Sequence, residues 1–250
     1  MVPFTKYLRI SILLVIASLV SCSPVYRPVA LQYKDYRISN TQVDSSVVKF
    51  LQPYSDSVNH SMSLVIAQLA TDLEKKQPEG TLGNLMVDAV KIMAEKKYVI
   101  NIDIALVNFG GIRLTSIKSG PITKGKVFEL MPFDNILVLQ KLNGKVLKEL
   151  LDHIAGRGGW PVAGMTMKIN NGKAVDVLIN GSPIDENKLY TIAHSDYTAN
   201  GGDDCTMLRA IPQINNGYLI RDAILDYFVS FTKEGKEISV SLQNRVTNVQ

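Results

Sequence analysis

Arg113 stands in the stretch "NFGGIR", residues 108–113, which follows directly on the apolar run "IDIALV". A guanidinium offers a planar fork of N–H donors that suits phosphate or carboxylate oxygens. Two glycines and an asparagine leave the backbone around it almost bare, which favours close approach of a ligand. Other chemistries are poorly served. The three histidines, His60, His153 and His194, fall into no His-x-His, Asp-x-His or Glu-x-x-His spacing, so a multi-ligand metal centre is not expected. Neither a G-x-S-x-G elbow nor a phosphate-binding P-loop is present. His194 and Ser195 are adjacent, and neighbours on a strand point to opposite faces, so they do not form a nucleophile–base pair. Asp134, Asp196, Asp203 and Asp204 all lie near loops, and spacing alone leaves open which of them converge. Cys205 reads as a small buried residue rather than a reactive thiol.

The elements that position these residues follow from composition and periodicity. The chain has 250 residues, 46% hydrophobic and 20% charged, with a formal net charge of +4. That is the balance of a folded globular protein with no basic stripe for a nucleic-acid backbone. Residues 1–21 carry Lys6 and Arg9 ahead of an apolar stretch from Ile10 to Val20, as in a secretory signal. The segment "LVSC" resembles a bacterial lipobox, which makes Cys22 the expected lipid attachment and the chain extracytoplasmic, held on a bacterial membrane. Residues 22–42 read as a tether and residues 43–250 as one domain. Phe50, Leu51, Tyr54, Val58 and Met62 recur at helical spacing, with Asp44 or Ser45 as the cap. "LVIAQLA" suits a strand and "TLGNLMVDAVKIMAEKK" a helix. "YVINIDIALVNFGG" reads as a buried strand, and "GKVFELMPF" and "NILVLQKLNG" as short strands or a strand and its lead-in. "GKVLKELLDHIA" is an amphipathic helix, residues 164–192 a meander turning at "NNGK" and "NGSP", "LIRDAILDYFVSFTKEG" a helix stopped by Gly235, and "ISVSLQNRV" a closing strand. Strands and helices mix without a βαβ repeat, so the fold class is α+β, a mixed sheet with packed helices.

Three stretches in order, "ALVNFGGIR", "GPITKGKVFELMPFDNILVLQKLNGKVLKELL" and "YTIAHSDYTANGGDD", together with "TLGNLMVDAV", resemble the C-terminal domain of the 5′-nucleotidase family. The resemblance covers most of residues 43–250. It implies that Phe133 and Tyr197 stack on the two faces of a base and that Asn108 hydrogen-bonds it. It places Arg113 toward the phosphate side and Asp203 on the ribose hydroxyls. Gly110, Gly111, Gly201 and Gly202 are the residue type that lets backbone come close to a ligand and adopt positive φ. The resemblance also implies that hydrolysis belongs to a separate N-terminal metallophosphatase domain with two metal ions. No cofactor is therefore expected in this chain, and divalent metals only in a partner. Two departures stand out: Pro78 lies near the place of a second substrate arginine, and Asp204 replaces a frequent glycine. The expected function is nucleotide or nucleoside recognition for a split 5′-nucleotidase with a separately encoded metallophosphatase. The alternatives are a nucleoside-binding lipoprotein without an enzymatic partner, or a degenerate structural module.

Overall fold

The computed structural model describes residues 33–34 and 43–249. The signal, lipobox and most of the tether, Cys22 included, lie outside the described residues. The chain divides into a unit ending at Val48 and a body from Lys49 to Gln250. In the first unit the Asp44 carboxylate accepts from the amides of Ser46 and Val47 and opens helix α1, Ser45–Met62. None of its residues is buried, so Phe50, Leu51, Tyr54 and Val58 turn an apolar stripe outward.

The body is organised by a four-stranded sheet in the order β6-β11-β3-β7: Leu137–Asn143, Leu189–Ser195, Ile104–Leu106 and Val162–Ala163. β11 runs antiparallel to β6 and parallel to β3, with Ile192 opposite Ile104 and Ala193 opposite Ala105. Both faces are covered, which is why "IDIALV" reads as an apolar run. Ala105, Ala193 and Ala163 face a core shared with α2 (Thr81–Tyr98) and α6 (Ile220–Lys233). Ile104, Leu106 and Ile192 face the other core, with Leu147, Leu150 and Ile154 of α4 (Gly144–Gly156). Small side chains on one face bring α2 close. At Gly83 a Cβ would stand 2.6 Å from Pro161 Cγ, so only glycine fits this contact.

A second sheet, β10-β9-β8-β12, joins Ser182–Pro183, Lys173–Ile179, Met165–Asn170 and Val246–Asn248. Met165, Met167 and Ile169 alternate inward from its β8 strand, as the meander predicts. Two short ladders complete the body, β1 (Val65–Leu69) with β5 (Gly120–Thr123) and β2 (Leu73–Glu74) with β4 (Ser116–Ile117). The mixed sheets and packed helices are the α+β class expected.

Three local readings are corrected. "GKVFELMPF" is not a strand: Lys124–Leu130 forms helix α3, because the Thr123 hydroxyl accepts from the Lys126 amide and Val127 and Leu130 share the buried face. Of "YVINIDIALVNFGG" only Ile104–Leu106 is strand. Helix α2 runs on to Tyr98 and ends with Val99 left-handed at φ 56°, its amide bonded to Glu95 O. Of "ISVSLQNRV" only the two ends pair, Ile238 in a single bridge to Leu69 and Val246 in β12, after Asn244 turns left-handed at φ 57°.

Candidate functional site

Three segments meet at the ends of the central sheet. β3 runs out into Val107 and Asn108, and a 3₁₀ turn, Phe109–Gly111, leads to Arg113. The loop between α3 and β6 carries Phe133 and Asn135. β11 ends in the four-residue helix α5, Asp196–Ala199, in which the Ser195 hydroxyl accepts from the Thr198 amide and Tyr197 is thrown outward. A 3₁₀ turn, Gly202–Asp204, follows.

The last two segments are stitched together. Asp196 Oδ1 accepts from the Ile136 amide at 3.0 Å, and the Asp196 amide donates to Ile136 O at 2.9 Å. Arg221 of α6, only 9% exposed, donates to Phe133 O at 3.3 Å and to Asp134 Oδ1 at 2.5 Å, and its guanidinium lies 4.3 Å from the Phe128 ring centre. The aromatic of the loop thus sits on a backbone held from the buried side. Asp134 and Asp196, open as paired carboxylates from sequence, are here a salt-bridge partner and a backbone clamp.

Between the segments lies a cavity of about 330 Å³ lined by Asn108, Gly110, Gly111, Arg113, Phe133, Asn135, Tyr197 and Asp203. Phe133 and Tyr197 are 38% and 44% exposed, unusual for rings on a well-packed domain and suited to covering a flat heterocycle. Asp203 is held in place by two donors. Asn108 Nδ2 donates to its Oδ2 at 2.7 Å and the Tyr197 hydroxyl to its Oδ1 at 3.1 Å, while the Asp203 amide donates back to the same hydroxyl at 3.2 Å. A carboxylate has about four acceptor positions, so lone pairs remain for two ligand hydroxyls. Asn108 spends one amide hydrogen on Asp203 and keeps the other.

Arg113 donates weakly to Gly110 O at 3.4 Å, lies 5.8 Å from the Phe133 ring centre and makes no ion pair among the described residues. Lys75 stands near it, donating to Ile112 O at 2.8 Å with its ammonium 4.1 Å from the Phe109 ring centre. Burial, and then the charge of Arg113, lower its pKa. Cys205 is buried and its thiol is pushed up to about 12, by burial first and then by the neighbouring Asp203, which keeps it protonated and unreactive.

Every binding residue expected from sequence except Gly202 lines this cavity, and Gly202 lies directly behind it. A Cβ there would come within 2.4 Å of Tyr197 Cε1, so the glycine lets the ring lie against the backbone. Of the four glycines expected to adopt positive φ, Gly201 does, at 87°, and Gly110, Gly111 and Gly202 do not, which corrects the expectation for those three. Gly111 is a glycine because a Cβ would meet Asn108 Oδ1 at 2.7 Å. Asn135 is an addition to the expected set. Its signal is position, two residues beyond Phe133 in the loop that feeds β6, where it reaches the same cavity.

Known proteins share this architecture. A family model described as 5′-nucleotidase, C-terminal domain, matches residues 63–210, more than half of the chain. A 5′-nucleotidase of Vibrio vulnificus is 28% identical over 200 residues, covering 76% of this chain and 35% of that protein. Endonuclease YhcR of Bacillus subtilis is 30% identical over 170 residues, 64% of this chain and 13% of the relative. The crystal structure of a 5′-nucleotidase precursor from Thermus thermophilus superposes with a TM-score of 0.71 at 29% identity, over 80% of this chain and 42% of the other. The chain therefore spans about a third of the length of the Vibrio relative. By its matched family model, its sequence relatives and its fold, the chain belongs to the 5′-nucleotidase C-terminal domain family.

Proposed function

We propose that this chain is the nucleotide-recognition part of an extracytoplasmic 5′-nucleotidase whose hydrolytic centre resides on a separately encoded metallophosphatase. The observation that carries the reading is the convergence on one cavity of two half-exposed rings, a doubly held carboxylate and a guanidinium without an ion pair among the described residues. A base fits between Phe133 and Tyr197, and stacking of this kind contributes about 1–3 kcal/mol per base. The ribose diol meets Asp203, the phosphate end meets Arg113, and Asn108 and Asn135 supply amides for the base edge. The residues present do not fit a dimetal centre: among the described residues no three His, Cys, Asp or Glu side chains are grouped to hold an ion. The role of this chain is to bind and orient, and cleavage of the phosphate ester is assigned to the partner. The lipobox-like "LVSC" supports attachment through Cys22 and a place outside the cytoplasm.

The test is calorimetric titration of the chain with adenosine, AMP and a UDP-sugar, together with phosphate release from AMP with divalent metal, with and without a separately expressed metallophosphatase domain from the same genome. Binding by the chain alone and hydrolysis only with the partner is the expected result. Strong metal-dependent hydrolysis by the chain alone overturns the split scheme. Binding with no gain of hydrolysis identifies a nucleoside-binding lipoprotein instead.

A further inference from the structure

We propose that His153 and Arg157, at the end of α4, are positioning residues that set the preference of the cavity for a ribose cis-diol by holding Asp203 from outside. The proposal rests on the nucleoside reading above. Asp203 and Asp204 are consecutive residues in the left-handed region, at φ 50° and 60°. Residues bearing a Cβ seldom adopt that conformation, and persist in it only where their surroundings impose it. A relaxed turn would rotate the Asp203 carboxylate away from Asn108 Nδ2 and the Tyr197 hydroxyl, which hold it at the cavity wall.

The restraint comes from the last turn of α4. His153 and its C-cap residue Arg157 are four positions apart and so lie on one side of the helix. His153 Nε2 is 2.8 Å from Asp203 O, and Arg157 Nη2 donates to Asp204 Oδ2 at 2.5 Å. Each left-handed residue is thus gripped once, the first by its carbonyl and the second by its side chain. The His153 ring is itself anchored. It stands edge-on to Trp160, at 6.4 Å between centres and 89° between planes, and Trp160 is 2% exposed. Arg157 Nε also lies 3.0 Å from His153 Nε2. One ring nitrogen cannot donate to a carbonyl and accept from a guanidinium at once, so the grip on Asp203 requires a hydrogen on Nε2. Neither side chain lines the cavity, so their effect on a ligand passes through Asp203. The Arg157–Asp204 pair is the weaker hold, because Asp204 is largely exposed and water screens it.

The experiment compares adenosine with 2′,3′-dideoxyadenosine, which lacks both hydroxyls, on the full chain and on three variants, with thermal unfolding as a control. In His153→Leu, adenosine affinity falls about fivefold to tenfold, the scale of one lost hydrogen bond, while dideoxyadenosine affinity stays put. His153→Gln, which restores a donor, recovers most of the preference. Arg157→Met lowers it about twofold at low salt and not at high salt, as an exposed ion pair requires. Unchanged discrimination in His153→Leu overturns the proposal, and so does an equal loss for both ligands, which assigns His153 to general packing. A wild-type chain that binds neither ligand sinks the functional reading and this proposal together. Wild-type binding with unaltered discrimination in the variant sinks this proposal alone.

Discussion

Among the hollows of the domain, two have chemistry that runs opposite to their size. The larger, about 700 Å³, lies over β8, β9 and β10 and is lined by Met167, Val177, Leu178, Pro183 and Ile184 among others. Its two charged residues, Lys168 and Asp176, pair with each other at 2.9 Å, which leaves nothing charged for a ligand. The smaller, about 330 Å³, keeps Arg113 without a carboxylate partner among the described residues, holds Asp203 with two donors and leaves two rings half uncovered. A binding site is recognised by convergent polar groups whose valences are not consumed internally, and volume alone says little.

That contrast can be broken at several points. The largest effect is expected beneath the small hollow. His194 of β11 is buried, neither ring nitrogen has a partner, and burial lowers its pKa from 6.5 to about 4. The unfolded chain takes up the proton near pH 6.5 and the folded chain only near 4, so the stability is present above pH 6.5 and is lost progressively as pH falls to about 4. The loss is roughly 3 kcal/mol at about 1.4 kcal/mol per pH unit. Urea unfolding of the wild type and of His194→Leu at pH 7 and pH 4 measures it, and the variant should lose this part of the acid sensitivity. Next, Tyr197→Ala removes one ring and a hydroxyl bound to Asp203, and adenosine affinity should fall about 10- to 100-fold by calorimetry. Arg113→Met should weaken AMP about tenfold and leave adenosine alone, as expected of a charged hydrogen bond to phosphate. The smallest effect belongs to the large hollow. Lys168→Ala should change unfolding by less than about 0.5 kcal/mol and nucleoside affinity not at all. A larger loss of affinity there would mean that the wrong hollow has been chosen.

How much is legible in the sequence differs along the chain. "NFGGIR" and "SDYTANGGD" announce their cavity-lining residues because each is a short segment in which a glycine, an aromatic or a charge has few other uses. The clamps behind them are silent. Asp196 meets Ile136 across 60 positions and Arg221 meets Asp134 across 87, and no local period encodes such pairs. Asp134 and Asp196 therefore read as loop carboxylates of open purpose, although the first pairs with a guanidinium and the second with a backbone amide. The helix at 124–130 is hidden for a related reason. A stretch of seven residues is too short to show a 3.6 period, and its one cue is the capping threonine just before it. Asn135 is equally quiet, because an asparagine in a loop after Phe133 and Asp134 has a turn-forming use that needs no ligand.

The contact between Gly202 and the Tyr197 ring has a consequence for how this loop can drift over generations. Alanine at 202 would need the ring to retreat, dragging the hydroxyl off the carboxylate it steadies and narrowing the slot at once. A single methyl group stands between this loop and a closed cleft, so change at that codon is barred, and its neighbour Gly201, buried at φ 87° with a Cβ that would fall 2.2 Å from Arg209 Nε, is as little free to vary.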